Sequence, residues 1–111
     1  MKSGNLSDRY FTSIRARDID GLMALYAQDA VFTLPDGREF SGIAAIREMH
    51  LSVFAASAPI PTPVATVVEN GSIAAEIEAR LPDGTTRRTA NFFHLDGAGL
   101  IRRLSVYRQG R

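Results

Sequence analysis

Apolar residues recur along this chain first at a helical period and later at a strand period. Leu6, Tyr10, Phe11 and Ile14 share one face at helical spacing, so a helix is expected over 7–17. Asn5 or Ser7 is its expected cap. Ile19, Leu22, Met23 and Tyr26 repeat at i, i+3, i+4 and i+7. They predict a second helix, capped by Asp18 or Asp20 and ended by Asp29-Ala30. Val31-Phe32-Thr33-Leu34 predicts a short strand, stopped by Pro35-Asp36-Gly37. A third helix is expected after Ser41, its cap, with Ile43, Ile46, Met49, His50, Val53 and Phe54 as the apolar stripe. Pro59, Pro61 and Pro63 then predict an extended linker of poor helical or strand character.

Beyond Pro63 the pattern alternates. Strands are expected over 64–68, 73–81, 85–95 and 100–108. Glu69-Asn70-Gly71, Pro82-Asp83-Gly84 and Asp96-Gly97-Ala98-Gly99 supply the turns between them. In the second of these strands Ala75, Ile77, Ala79 and Leu81 lie opposite Glu76, Glu78 and Arg80. The fold class is therefore α+β: three N-terminal helices covering one face of a curved antiparallel sheet. Such a sheet curls around its helices and leaves a cavity under its concave face. Apolar side chains on the convex face argue for a homodimer packed sheet to sheet.

Composition narrows the function classes. The 111 residues form one domain, 1–111, with 45% apolar and 23% charged residues, as in ordinary globular proteins. A net charge of +1 gives no field for nucleic acid or an anionic membrane. Arg87-Arg88 and Arg102-Arg103 interleave with no aromatic ladder and read as exposed charges. With no cysteine there is neither a disulfide nor a thiolate metal site, and two histidines on different elements make any metal unexpected. No apolar run approaches a membrane span of roughly 18–20 residues, and Met1-Lys2-Ser3-Gly4-Asn5 lacks a signal-peptide core, so a cytoplasmic location is expected.

Particular residues carry a resemblance. They are the Asp20-Gly21 opening, the run Ala24-Leu25-Tyr26-Ala27-Gln28-Asp29-Ala30, the start Ser41-Gly42-Ile43-Ala44-Ala45-Ile46-Arg47 and the late turn Asp96-Gly97-Ala98-Gly99. With the order of elements, they resemble the nuclear transport factor 2-like superfamily. The nearest likeness is to its ketosteroid-isomerase-like and SnoaL-like (polyketide cyclase) members. The resemblance implies a cone-shaped, cystatin-like sheet wrapped around the helices. It places Tyr10 where the isomerases keep an oxyanion-binding tyrosine, and Asn91 where they keep a protonated aspartate. Tyr26 and His50 match supporting tyrosines, and Leu34, before Pro35, matches the general base.

A leucine cannot abstract a proton, so isomerisation by the aspartate route is not expected. What remains is a polar pair, Tyr10 and Asn91, to polarise a ligand oxygen, with His50 to shuttle or tune the proton as the chain's best general base. Tyr10 and His50 read equally as core residues that satisfy each other's hydrogen bonds. Asn91 reads equally as an edge or bulge residue, His94 as outward-facing and Arg108 as a solvated arginine. An inward Arg108 would suit an anionic group. Asp36 would reach the cavity mouth only if its turn bends inward.

The expected pocket lining is Tyr10, Phe11 or Ile14, Met23, Tyr26, Leu34, Phe40, His50, Phe54, Asn91, Phe93 and Leu104. The expected ligand is a small, largely apolar molecule bearing oxygen. Either a cofactor-free isomerase, cyclase or dehydratase, or a non-catalytic carrier or dimerisation module, fits these residues.

Overall fold

Three helices and six strands follow one another in a computed structural model of the chain, which describes residues 4–56 and 60–109. Helix α1 is Gly4–Ala16, α2 is Ile19–Met23 and α3 is Ile43–Ala55. The strands are β1 (Tyr26–Thr33), β2 (Glu39–Ser41), β3 (Pro61–Glu69), β4 (Ser72–Arg80), β5 (Thr86–Leu95) and β6 (Ile101–Arg108). They form one unclosed sheet in the order β2-β1-β6-β5-β4-β3. The last four strands make the expected antiparallel meander. Its inward positions are odd-numbered on β4 and β5 and even-numbered on β6, so that Ile73, Ala75, Ile77, Phe93 and Leu104 are all buried. Strand β1 adds to the meander in parallel with β6, and β2 folds back on β1.

The second helix is shorter than its pattern predicts. It stops at Met23, and Tyr26 begins β1 instead. The cause is a bulge: Tyr26 pairs with Ile101 and Val31 with Arg103, so β1 advances five residues while β6 advances two. The surplus residues give β1 the burial order in-in-out-out-in over Tyr26 to Ala30, which copies a helical face. Asp18 does cap α2, its carboxylate accepting the Gly21 amide at 3.0 Å. Helix α1 starts at Gly4, so Asn5 and Ser7 lie inside it rather than at its cap.

Ser41 is not a cap either. It ends β2, and Gly42 stands at the N-cap without a side-chain bond. The proline segment is a strand rather than a linker, since Pro61 and Pro63 pair with Ala79 and Ile77. Strand β3 is a sheet edge, where a missing N–H can face solvent, and its register slips between Pro63 and Ala65. Pro59 lies outside the described residues. Among the described residues no helix is long and apolar enough to cross a membrane.

Helix α1 closes with Arg17 in the left-handed region, at φ 54°. The amide of Arg17 donates to Ile14 O (3.1 Å) and that of Asp18 to Ser13 O (2.9 Å), a Schellman closure in which glycine is the usual residue. The Arg17 guanidinium donates to Phe54 O at 3.1 Å, joining the C-terminal ends of α1 and α3.

Gly42 adopts φ 88° and ψ 155°, a region reserved for glycine, and an added Cβ would meet nothing nearer than Gln28 O at 4.0 Å. Gly42→Ala therefore tests backbone strain alone. We expect a loss of roughly 1–3 kcal/mol in urea unfolding; a loss below about 0.5 kcal/mol would contradict the account of this junction.

Candidate functional site

A cavity of about 240 Å³ lies between α1, α3 and the concave face of the sheet. Helix α1 contributes Tyr10, Phe11 and Ile14, with Arg17 just beyond it. Helix α3 contributes Met49, His50, Val53 and Phe54. Phe32 and Leu34 close one side, and Ile60, Pro61, Ile77, Ala79, Arg87, Thr89, Asn91 and Val106 form the remainder. The inner wall is buried, whereas Arg17, Val53, Ile60 and Arg87 are exposed and form the rim.

The polar floor begins with three side chains from three elements. Tyr10 projects from α1, Tyr26 from β1 and His50 from α3, each about 3% exposed. The Tyr26 hydroxyl and His50 Nε2 are 3.0 Å apart and hydrogen-bonded. The Tyr10 hydroxyl adjoins that of Tyr26 closely enough for each to shift the other's proton affinity. The partner of His50 is thus Tyr26, not the Tyr10 expected from sequence. That expectation had Tyr26 on a helix, and the β1 bulge turns it inward between the other two.

Two proton orders satisfy the Tyr26–His50 pair. With the proton on Nε2, His50 donates to Tyr26; with the proton on Nδ1, Tyr26 donates to His50. The neighbouring Tyr10 hydroxyl borders the cavity and can donate or accept there.

Burial governs the protonation states. Desolvation lowers His50 from 6.5 to about 4, so the imidazole is neutral near pH 7. Desolvation also raises both tyrosines well above their ordinary value. His50 is consequently a weak base, and the three groups act as neutral donors and acceptors. Aromatic edges hold the geometry: the Tyr10 ring meets Phe11 at 5.1 Å and Phe93 at 5.2 Å, and His50 meets Phe32 at 5.5 Å.

Asn91 completes the floor from β5. That strand is interior and regular at this point, so Asn91 sits at neither an edge nor a bulge. It is buried, and no described residue hydrogen-bonds its carboxamide. Its carboxamide borders the cavity, where it offers N–H donors and a carbonyl acceptor.

Of the expected lining, Tyr10, Phe11, Ile14, Leu34, His50, Phe54 and Asn91 border the cavity. Tyr26 lies behind it. Met23, Phe93 and Leu104 are core residues, and Phe40 packs against the core on the short β2 strand. Arg108 is exposed beyond the lining, because β6 is ending where it pairs with Thr89. Asp36 stays in its turn, where Arg38 donates to it from the backbone and pairs with it at 3.0 Å. No Asp or Glu lines the cavity among the described residues, and no three His, Asp or Glu side chains cluster as a metal would need. The unforeseen polar residues are Arg17, Arg87 and Thr89. Strand alternation back from Asn91 marks Arg87 and Thr89; nothing in the sequence marks Arg17.

A curved sheet with helices on its concave side and a cavity between them defines a nuclear transport factor 2-like, cystatin-like fold. The SnoaL-like domain family matches residues 7–104, and the chain belongs to that family. No curated protein matches it. Among solved structures it is similar to a cystatin-like protein of unknown function from Methylobium petroleophilum, with TM-score 0.84, 20% identity and coverage of 98% of this chain and 76% of that one. It is also similar to a provisionally named ketosteroid isomerase from Kribbella flavida (TM-score 0.84, 19% identity, coverage 98% and 78%). A third similar structure is the epoxide hydrolase/cyclase-like enzyme SalBIII, with a role in pyran ring formation in the polyether salinomycin (TM-score 0.80, 20% identity, coverage 96% and 89%).

The depressed His50 value makes a prediction about acid stability. The unfolded chain takes up this proton first, so neutral His50 contributes stability that is complete above about pH 6.5 and is lost as pH falls toward about 4. The full effect is on the order of 3 kcal/mol. In urea unfolding from about pH 7 to about pH 4.5, His50→Gln, which cannot titrate, should show a visibly flatter loss than the wild type. Parallel profiles would place the imidazole in solvent.

Proposed function

We propose that this protein binds a small, largely apolar, oxygen-bearing molecule in its cavity. There it polarises that oxygen for a cofactor-independent isomerisation, ring closure or dehydration. The observation that carries the reading is the floor, where Tyr10, His50 and Asn91 are the buried polar members of an otherwise apolar inner wall. A hydroxyl and a carboxamide at the buried floor of the cavity suit an oxygen on which negative charge develops. The ring-forming role of SalBIII supports a cyclase-type reaction as one member of this class. Leu34 in the wall, with no carboxylate beside it, argues against the isomerases' aspartate route.

The lack of a lining carboxylate among the described residues favours a second reading, a carrier that binds without converting. The two part on the fate of the ligand: a carrier returns it unchanged, whereas an enzyme returns a product of altered mass or retention time.

The protein acts as a homodimer in this proposal, joined through the convex sheet face. A row of small and apolar side chains crosses the centre of that face, Val67–Ala74–Phe92–Ser105, with Tyr107 beside it. Val67 is 68% and Tyr107 60% exposed, a large apolar area for a lone monomer to leave wet.

Phenols, naphthols and cyclic ketones should raise the melting temperature of the wild type, and Tyr10→Phe should weaken the best of them about tenfold. Equal affinity in Tyr10→Phe would remove this residue from the site; no shift with any compound would overturn the ligand reading. Sedimentation equilibrium should give twice the chain mass, and Val67→Asp with Phe92→Asp should give the monomer. A wild-type monomer at about 100 μM would refute the convex-face dimer.

A further inference from the structure

We infer that the ligand is a monoanion: a skeleton of one or two rings with an oxygen at its inner end and a carboxylate at the mouth, held there by Arg87 and Arg17. The inference rests on the ligand-binding reading above and names its ligand class.

Strand β5 carries a polar ladder on its concave face. Arg87, Thr89 and Asn91 all border the cavity, and the next residue on that face, Phe93, is sealed in the core. The ladder therefore runs from rim to floor, over roughly 13 Å of backbone at ~3.4 Å per residue. It offers a cation at the open end, a hydroxyl midway and a carboxamide at the closed end.

The two neighbouring arginines of this strand differ in their partners. Arg88, on the opposite face, is paired with both Glu76 and Glu78. Arg87 has no ion pair or hydrogen bond among the described residues. Arg17 lies on the rim of the same cavity, over the Phe54 ring at 5.5 Å, with one N–H spent on Phe54 O. Its planar fork keeps further donors for an anion. The described lining thus holds two cations and no carboxylate, and the cations outweigh the partial negative charge of the α1 and α3 C-termini beside them.

Size limits the skeleton. At about 240 Å³ the cavity exceeds the roughly 150 Å³ that accepts benzene and falls below the ~300 Å³ at which drug-sized sites begin. One or two rings fill it, and an exposed carboxylate then reaches the rim.

The test is calorimetric titration of the full chain with para-hydroxybenzoate, a hydroxynaphthoate and the neutral primary amide of each. The acids should bind the wild type about tenfold more tightly than their amides. Arg87→Gln, a change at an exposed position, should remove most of the acids' preference, Arg17 holding the remainder. Equal binding of acid and amide by the wild type, or a preference undiminished in Arg87→Gln, overturns the anion inference while leaving the ligand reading intact. Failure of both acids and amides to bind overturns the two together.

Discussion

The hydrogen bond between Tyr26 and His50 holds the interior of this protein together. Each group alone would be costly where it lies, since an unpaired buried hydroxyl or imidazole costs about 1–3 kcal/mol. Paired at 3.0 Å, they link β1 to α3, and the Tyr10 ring, edge-on to both, brings α1 against them. Those are the elements that must be set relative to one another if a space is to survive between helices and sheet. Apolar contacts alone would favour collapse of α3 onto the sheet. A directional polar pair, flanked by edge-on aromatic rings, gives the helix a defined place instead.

The sheet meets this constraint with irregularities. Register slips occur between Tyr26 and Val31, between Pro63 and Ala65 and between His94 and Leu95. Each bulge bends its strand and increases the local twist, so the six strands curl rather than lie flat. The bulge in β1 has a second effect, because the extra residues let Tyr26 and Ala27 both turn inward. The same irregularity that curves the sheet therefore delivers one member of the polar pair.

That coupling explains what the sequence made legible. The meander could be read from alternation and turns, and the helical faces of Leu6 to Ile14 and Ile43 to Phe54 from their spacing. Resemblance then brought Tyr10, His50 and Asn91 to one cavity. Tyr26 reads as helical because a bulged strand and a helix share a burial period over five residues. Ser41 reads as a cap because β2, three residues long, is too short for its alternation to show. The rim differs for another reason: Arg108 continues the inward face of β6 by parity, but that face borders the cavity at Val106, and Arg108, the last residue of the strand, lies exposed beyond it. Arg87 was hidden in a pair of adjacent arginines, although adjacent strand residues face opposite ways. Arg17 depends on a left-handed helix closure that favours glycine and that no local pattern announces.

The protonation states constrain the chemistry of the proposed reaction. Near neutral pH none of Tyr10, Tyr26 and His50 carries charge, because desolvation opposes the ionised form of each. Under the proposed reading, the floor stabilises charge only as it develops on a bound oxygen, through dipoles already in place. Such a site can accelerate enolisation or ring closure of a substrate whose proton is already acidic or whose nucleophile is internal. It cannot take a proton from an unactivated carbon, which needs a base with a pKa near the working pH. Substrate reactivity would then supply what the isomerases draw from an aspartate, and Leu34 in the wall becomes part of the specificity rather than a defect.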